Sequence, residues 1–300
     1  MTGLIILIYN NSESIRDFVD SFEKYNTEPV KYIVVDNGSR SDISENVSSY
    51  LRERFSQKGF LECDDNFQVT SSLLYCTFLR SNYNSGFSGG NNKGLRLAFL
   101  DDEIDNVFVV NDDLIFVDDI LPKLVKSLHT LPKAGMICPI SLLPNGDIDV
   151  DCVREMRTMY EEFVSMFHYV FNDDEIVLKK HPEYMNNDVI EINPPIGPHI
   201  LMDKKTLKDV GGYDDNVFLY HEEYILYQKY KKLGLINYAI PNCKVIHIGS
   251  VSTKKNPSPK ILRASIDSTY YYYKTYFKMN FLQRMALEFC YFLGKNRLKR

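Results

Sequence analysis

The sequence predicts an α/β fold with a mostly parallel central sheet flanked by helices, followed by a C-terminal helical tail. Two observations predict it: short apolar, β-branched runs alternate with segments of helical periodicity, and polar clusters follow the runs. Strands that are apolar on both faces are typical of a parallel sheet covered by helices on both sides. The 300 residues, 44% hydrophobic and 25% charged, suit one large globular domain of this class or two small ones.

The first half of the chain shows this alternation most clearly. The run Leu4–Tyr9 predicts the first strand, and Asn10-Asn11-Ser12 predicts a loop that opens a helix over 13–25. The same reasoning predicts strands at Lys31–Val35, 73–80 and Val107–Val110, and helices at 43–55, 90–100 and Asp118–Leu128. The polar clusters at 10–12, 36–42 and 111–113 all follow strands, so we expect them to gather at the ligand-binding edge of the sheet.

The second half is less regular. Residues 153–171 predict an aromatic-rich helix, and 172–193 predict a polar, loop-like segment. Residues 194–215 predict a strand, a short helix and a Gly-Gly stop. A helix over about 221–233 and a last strand over 243–250 complete the pattern.

Composition and charge narrow the class of protein. The formal net charge of −5 argues against a nucleic-acid partner, which usually requires a basic surface. The six cysteines form no CxxC pair and no metal-type spacing, which favours a reducing cytoplasm. The apolar N-terminal run is too short for a secretion signal or a membrane span.

The C-terminal tail has a different character. Several of its large apolar residues fall near one helical face: Phe281, Leu282, Met285, Phe289, Phe292 and Leu293. From Lys274 onward there are seven Lys or Arg residues and one acid, Glu288. A basic amphipathic helix of this kind can lie on an anionic membrane surface. A terminal helix that packs on the domain and leaves its basic end in solvent explains the pattern equally well.

An acidic turn follows the predicted strand Val107–Val110. Ionised carboxylates are costly to bury and repel one another, so Asn111-Asp112-Asp113 at the end of a core strand needs a partner. Mg²⁺ and Mn²⁺ take oxygen ligands, typically one or two carboxylates together with substrate phosphates. The alternative is an acidic turn that only caps the following helix.

Two further segments follow strands in the first half. Asp36 precedes Asn37-Gly38, and its carboxylate can accept hydrogen bonds from a base or a ribose, although the tripeptide is also simply a good turn. In the segment 82–94, glycines 86, 89 and 90 permit close backbone approach, and the helix that follows favours an anion. The spacing matches neither the Rossmann nor the P-loop pattern.

The second half offers a candidate base and a candidate ligand. Glu222 and Glu223 open a helix, where one of them can act as a general base or both can simply interact with the helix dipole. His247 ends an apolar strand, so it is either a core histidine or a ligand for a metal or a phosphate.

These motifs stand in an order that resembles the family 2 inverting glycosyltransferases with the GT-A fold, particularly the rhamnosyltransferase-like branch of bacterial polysaccharide synthesis. The matching segments are IILIYNN, YIVVDNGSRSD, NSGFSGGNNKGLRLA, VVNDDLIF, GPHILMDKKTLKDVGGYDDNVFLYHEE and VIHIGS. The resemblance covers about residues 3–250. It implies a GT-A domain over 1–250, with 1–113 binding the nucleotide-sugar and 114–250 the acceptor, and a separate tail over 251–300.

The resemblance also implies roles for individual residues. Asp36 would contact the nucleotide base, with Tyr9 and Asn10 lining the same pocket. Asn111-Asp112-Asp113 is similar to the metal-binding D-x-D element, with Asp113 the direct ligand, Asn replacing the first acid, and His247 assisting the metal or the diphosphate. Glu223 matches the catalytic base, which is most often Asp in the family, and Glu222 is the alternative base. The nucleotide-sugar-binding set implied in this way is Tyr9, Asn10, Asp36, Gly86, Gly89, Asn91, Asn111 and Asp112.

The function implied is a metal-dependent hexosyl- or deoxyhexosyltransferase that uses Mn²⁺ or Mg²⁺. Its donor would be a nucleoside-diphosphate sugar, with UDP or dTDP favoured, and its acceptor a glycan or a polyprenyl-linked sugar. We expect it in the cytoplasm, with the basic tail at the inner face of the membrane. Two alternatives are a catalytically silent GT-A-like domain that binds a glycan or a partner, and a sugar-nucleotide pyrophosphorylase. The second is disfavoured because YNNSES, rather than a Gly-rich loop with Arg, follows the first strand.

Overall fold

The computed structural model describes residues 1–67, 72–149, 152, 158–163, 166, 187–194, 199–249 and 258–297. The strands in these residues are β1 Thr2–Ile8, β2 Val30–Asp36, β3 Phe60–Asp64, β4 Cys76–Arg80, β5 Asn106–Asn111, β6 Leu114–Phe116, β7 Ala134–Leu142, β8 Ile190–Ile192, β9 His199–Asp203 and β10 Ile236–His247. The helices are α1 Ser14–Tyr25, α2 Ser41–Phe55, α3 Gly86–Leu100, α4 Leu121–Thr130, α5 Lys204–Asp209, α6 Glu222–Lys232, α7 Pro259–Tyr276 and α8 Phe281–Arg297.

The ten strands form one mixed sheet in the order β3-β4-β2-β1-β5-β9-β7-β10-β6, with β8 also paired to β10. The strands from β3 to β5 in this order are mutually parallel, and β7 is parallel to β10. Three strands run the other way: β9 between β5 and β7, and β6 and β8 on β10. The predicted α/β class, with a mostly parallel sheet flanked by helices, is confirmed.

Burial on both faces explains the continuous apolar runs. Leu4, Ile6 and Ile8 of β1 belong to one core cluster, which α1 and α4 cover, whereas Ile5 belongs to a second cluster that includes apolar residues of α3. Neighbouring residues of a strand point to opposite faces, so a strand covered on both sides must be apolar throughout. All seven residues of β2 are buried.

Several elements differ from their predictions. The sequence missed β3, which is only partly buried, and β6 and β7 were not predicted. The last strand begins at Ile236 rather than at residue 243. The prediction of a loop over 172–193 is wrong at its end, where β8 pairs with β10. The predicted helix over 153–171 lies largely outside the described residues, although 159–163 are helical.

The C-terminal helices pack on the domain through a third core cluster. Buried Tyr272 and Tyr273 of α7 lie with Tyr224 and Ile225 of α6 in this cluster, and α8 contributes Leu287. Within the described part of the chain, no helix combines the length and the hydrophobicity needed to cross a membrane.

Candidate functional site

The strand ends that carry polar clusters converge, as the sequence predicts. In the parallel pairing, Ile8 of β1 lies opposite Asp36 of β2, and Leu7 lies opposite Asn111 of β5. The loops after β1 and β2 are joined, because the Asn10 backbone N–H donates to Ser39 Oγ at 2.8 Å and Asn10 Oδ1 accepts from Arg40 N at 3.0 Å. Asn10 has φ of 54°, and Tyr9 beside it is exposed.

Asp36 supplies a buried acceptor at this edge. Its Oδ1 accepts a hydrogen bond from Ser39 N at 2.9 Å, while its Oδ2 is buried and has no hydrogen-bond partner in the part of the chain that the structure describes. Leaving a buried carboxylate oxygen unpaired costs free energy. The orphaned oxygen therefore suits a donor group that arrives with a ligand.

Asn37 fastens the glycine-rich segment to the end of β2. Its Oδ1 accepts from Ser85 N at 3.0 Å and from Ser85 Oγ at 2.9 Å, and its Nδ2 donates to Gly86 O at 2.9 Å. A Cβ at Gly90 would lie 2.9 Å from Asn37 Nδ2. The start of α3 is thus fixed beside the candidate nucleotide pocket.

Gly86 joins this segment to the chain that precedes α6. Its φ is +78°, and a Cβ there would lie 2.1 Å from the carbonyl oxygen of Phe218, which accepts from Phe87 N at 2.7 Å. A Cβ at Gly89 would lie 2.9 Å from Ser85 Cβ, and the fully buried Asn91 donates from Nδ2 to Phe87 O at 3.0 Å. Packing accounts for Gly86 here, and nucleotide contacts by Gly86, Gly89 and Asn91 stay a prediction.

The acidic turn lies between β5 and β6. Asp112 accepts a hydrogen bond from Ser14 Oγ at the first turn of α1. Burial raises the pKa of Asp112 to about 6; the hydrogen bond from Ser14 opposes this shift, and the charge of Asp113 adds to it. The hydrogen bond from Ser14 therefore connects the turn to α1. Asp113 connects the same turn to the residues that follow β10.

Asp113 and His247 lie together, although 134 positions separate them. The distance from Asp113 Oδ2 to His247 Nε2 is 3.4 Å, and Asp113 O accepts from Ile248 N at 3.0 Å. The antiparallel pairing of β6 with β10 places them there, since His247 lies opposite Leu114. A Cβ at Gly249 would lie 1.9 Å from Asp113 Oδ2, so only glycine allows this approach.

His199 lies on β9, close enough to Asp113 and His247 to interact with both electrostatically. The sequence analysis missed it. It lies opposite Val110 in the pairing of β9 with β5, is fully buried, and has its Nε2 2.6 Å from Ser141 Oγ. Burial lowers the pKa of His199 to about 3, and the nearby His247 acts in the same direction. A histidine inside an apolar strand was the available signal.

Asp113 and His247 suit a divalent cation bound together with a ligand. Asp113 Oδ1 is buried and has no hydrogen-bond partner among the described residues, so one carboxylate oxygen is left for such an ion. No group of three or more His, Cys, Asp or Glu side chains in the described residues is arranged to hold a metal. Since Mg²⁺ is usually held by one or two carboxylates plus substrate phosphates, a pair of protein ligands is compatible with a metal that arrives with a diphosphate.

Glu222 and Glu223 open α6, as predicted, but their surroundings differ. Glu222 is buried and its Oε2 finds no hydrogen-bond partner within the described ranges, whereas Glu223 is only partly buried. Burial raises the pKa of Glu222 well above its ordinary value, and the charge of Glu223 adds to the effect. Tyr220 and His221 before them have φ of 70° and 66°, which turns the chain sharply into the helix.

The turn at Tyr213 and Asp214, eight residues before α6, is braced from both sides. On one side, Asn92 of α3 donates from Nδ2 to Tyr213 O at 3.0 Å and accepts from Tyr213 N at 3.0 Å. On the other side, the hydroxyls of Tyr271 and Tyr276 in α7 donate to Asp214 Oδ2 at 3.0 and 2.6 Å. The sequence analysis missed this second contact, because nothing in the tail indicates which part of the domain it meets.

A chain of contacts links the two halves of the site. Asn37 at the end of β2 holds Gly86, Gly86 packs on Phe218, and Phe218 precedes the acidic helix by four residues. The candidate base and the candidate nucleotide pocket are therefore linked by one series of contacts.

Two solved structures with this architecture are similar to the chain. One is a crystal structure of GalNAc-T7 with UDP, GalNAc and Mn²⁺, with a TM-score of 0.62 and 12% identity over 97% of this chain and 54% of that one. The other is the mannosyltransferase PcManGT from Pyrobaculum calidifontis in complex with GDP-Man and Mn²⁺, with a TM-score of 0.56 and 13% identity over 99% of this chain and 72% of that one. The chain thus spans about half the length of the first protein. At these identities the likeness shows the fold, which is GT-A.

The sequence comparison defines the family. The family profile described as Glycosyl transferase family 2 matches residues 4–211. Because this match covers more than half of the 300 residues, the chain belongs to glycosyl transferase family 2. A search of the curated proteins finds no significant match.

Proposed function

We propose that the protein transfers a sugar from a nucleoside-diphosphate sugar to a hydroxyl of a glycan or lipid-linked acceptor, with inversion at the anomeric carbon. The observation that carries this proposal is the pairing of Asp113 with His247, which leaves one Asp113 oxygen without a hydrogen-bond partner in the described residues. A role in bacterial cell-surface polysaccharide synthesis, with a deoxyhexose such as rhamnose as the sugar, is the narrower form of the proposal.

Asp113 and His247 would hold Mn²⁺ or Mg²⁺. When bound there, the cation would neutralise the charge that develops on the departing nucleoside diphosphate. Both similar structures carry Mn²⁺ together with a nucleotide or a nucleotide-sugar, which supports the assignment. Asn111 replaces the first acid of the D-x-D element, so Asp113 would be the principal carboxylate ligand, and Asn111 and Asp112 would line the sugar diphosphate.

The nucleotide would lie over the ends of β1 and β2. The unpaired Oδ2 of Asp36 would accept a hydrogen bond from the base, with Tyr9 and Asn10 beside it. Uracil, thymine and guanine each present a ring N–H that can donate a hydrogen bond to a carboxylate. The UDP and GDP-mannose of the similar structures are both compatible with that chemistry.

Glu223 is the better candidate for the base that takes the acceptor hydroxyl's proton. A general base must be ionised at the working pH. Burial raises the pKa of Glu222 well above its ordinary value and so favours its protonated form, whereas Glu223 is accessible in part. Neighbouring residues on a helix face different directions, so one acid acts and the other supports the fold.

The decisive experiment measures the release of nucleoside diphosphate from UDP-, dTDP- and GDP-sugars, with extracted membrane lipid as the acceptor source and with Mn²⁺ or EDTA. We expect turnover that requires the metal and that Asp113→Ala abolishes. Asp118→Ala is the matched control, since it removes an exposed carboxylate shortly downstream that pairs with Lys123. Metal-dependent turnover that survives in Asp113→Ala would discard the metal role of Asp113. Absence of turnover with every donor would favour the silent binding domain.

A further inference from the structure

Among the described residues, helix α8 is covered on one side only. Leu287 and Cys290 face the cluster shared with α7 and are buried. The opposite side carries five large apolar residues that share one helical face and are 55 to 75% exposed, here called the α8 strip: Phe281 75%, Leu282 73%, Met285 55%, Phe289 60% and Phe292 63%. A contiguous exposed apolar strip marks an interaction surface.

Positive charge accompanies the α8 strip. The sequence from Lys274 to Arg300 has seven Lys or Arg residues and one acid, whereas the whole chain has a net charge of −5. The single acid, Glu288, accepts from the Tyr270 hydroxyl at 2.8 Å and lies 3.6 Å from Lys274 Nζ, so its charge is directed toward α7. Lys278 and Arg284, near the strip, are exposed.

We propose that α8 lies in the plane of an anionic lipid bilayer, with the α8 strip at the boundary between headgroups and acyl chains. An amphipathic helix with Phe and Leu on one face and Lys and Arg beside it binds such surfaces through apolar burial and electrostatic attraction. A second copy of the chain is a poorer occupant. A two-fold contact would bring the same patch of both copies together and set their cations against one another.

Contacts through α7 connect α8 to the segment that precedes the acidic helix α6. Asp267 of α7 accepts from the Tyr291 hydroxyl at 2.9 Å and pairs with Lys295 at 3.1 Å. The next residue, Ser268, donates from its hydroxyl to Leu219 O at 2.8 Å, three residues before Glu222. A membrane-bound α8 would thus hold the acidic helix at a fixed distance from the bilayer. This consequence rests on the proposed function, whereas lipid binding itself does not.

The test is flotation of the full chain with phosphatidylcholine vesicles and with vesicles in which about a third of the lipid is phosphatidylglycerol. No donor or metal is present, so the outcome is independent of transfer activity. We expect binding to the anionic vesicles that weakens at high salt. Phe281→Ser combined with Phe289→Ser should reduce the partition coefficient by on the order of 100-fold, because two large apolar side chains no longer leave water.

The matched control combines Leu74→Ser with Leu100→Ser, two apolar residues that are 45% and 46% exposed elsewhere on the surface. This control should bind as the wild type does. The strip pair is 75% and 60% exposed and the control pair a little under half exposed, so none of the four side chains belongs to the buried core. Circular dichroism and melting temperature should therefore report a folded protein in every case.

Charge is tested in the same way. Lys278→Glu combined with Arg284→Glu should weaken binding to anionic vesicles at least tenfold, since each cation near a charged surface contributes to binding. Lys126→Glu combined with Lys205→Glu changes the net charge equally at exposed positions outside α8 and should have a much smaller effect. Binding that is absent, or equal in wild type and in the α8 variants, would overturn the proposal. Self-association in sedimentation that the Phe281 and Phe289 changes abolish, without vesicle binding, would assign the strip to a second copy.

Discussion

Adjacent identical residues can have different chemistry, and Glu222 and Glu223 illustrate this at the start of α6. The sequence shows two equivalent acids, whereas the fold buries the first and leaves the second partly accessible. We expect Glu223→Gln to lower kcat about 10²–10⁴-fold, the usual contribution of a general base, with little change in melting temperature. Glu222→Gln should retain kcat within about tenfold, since it would lose no proton-transfer group. Steady-state kinetics of the two variants identify the general base. A large loss of kcat in Glu222→Gln with little loss in Glu223→Gln would assign the base to Glu222.

Burial of Glu222 beside Glu223 predicts a pH dependence of stability. The folded pKa of Glu222 lies above its ordinary value of 4.5, so above pH 4.5 the unfolded chain releases a proton that the folded chain keeps. Wild-type stability should therefore fall as pH rises through this range, because of Glu222. Glutamine does not titrate, so Glu222→Gln removes this pH dependence. The urea midpoint of the variant should therefore rise relative to that of the wild type as pH increases above 4.5. Parallel curves would show that Glu222 is ionised in the folded protein.

Gly86 is a second position where one residue type is required. Its φ is +78° and a Cβ would lie 2.1 Å from Phe218 O, whereas Gly211 has the same φ with open space around it. Gly86→Ala should cost about 1–3 kcal/mol for the backbone conformation plus the cost of separating α3 from the chain before α6. Gly211→Ala measures the conformational part alone. Equal urea-unfolding losses would mean that the contact with Phe218 is unimportant.

At the residue scale, the sequence identified side chains whose chemistry is visible in short motifs. Asp36 ends a strand, Asp113 follows one and Glu223 opens a helix, as the sequence predicts, and their roles stay predictions. Gly249 and His199 were missed because their roles come from long-range pairing. Gly249 matters only because β10 brings it against Asp113, and His199 only because β9 places it behind that aspartate.

Among the helices in the described residues, α7 is the one whose packing partner was hardest to predict from the sequence. Its tyrosines look like a generic amphipathic surface, but two of them fix Asp214 in the turn before α6. Strand–helix alternation predicted β1, β2, β5 and their helices, since these depend on local pattern. The first turn of α3 was missed because a glycine-rich start has low helix propensity and is held instead by Asn37.

The bracing by α7 predicts an effect on stability. Burial would raise the pKa of Asp214, but hydrogen bonds from Tyr276, Asn216 and Tyr271 hold it below its ordinary value of 3.8. Tyr271→Phe combined with Tyr276→Phe should lower the free energy of unfolding by about 1–3 kcal/mol at neutral pH. Tyr270→Phe, which removes a hydroxyl from the exposed side of the same helix, should have a smaller effect.

The sign of its pH dependence follows from the same shift. A lowered carboxylate pKa stabilises the fold above pH 3.8, and this contribution is lost as pH falls through the folded pKa. The difference between the wild type and the double variant should therefore shrink on acidification below pH 3.8. A difference that is constant with pH would show that the two hydroxyls act by packing rather than through the charge of Asp214.

For the whole molecule, the roles proposed for Asp36 and Asp113, each with an oxygen that lacks a hydrogen-bond partner among the described residues, predict that a nucleotide and a cation stabilise the fold together. A ligand that binds only the folded state adds about 2.7 kcal/mol at a hundred times its Kd. For a domain of this size that corresponds to a rise in melting temperature of about 5 °C. We expect this rise with UDP, dTDP or GDP in the presence of Mn²⁺ and a much smaller one with either component alone.

Single substitutions separate the two contributions. Asp113→Ala should remove the part of the rise that depends on Mn²⁺, and Asp36→Asn should weaken the response to the nucleotide while the metal-dependent part remains. Asp118→Ala, which removes an exposed carboxylate outside the candidate site, should respond as the wild type does. Both effects are read from the same rise in melting temperature. If that rise persists in each single variant and disappears only in the Asp36→Asn, Asp113→Ala double variant, neither side chain alone is required for binding the nucleotide or the metal. A melting temperature that no nucleotide raises would contradict donor binding at this edge of the sheet.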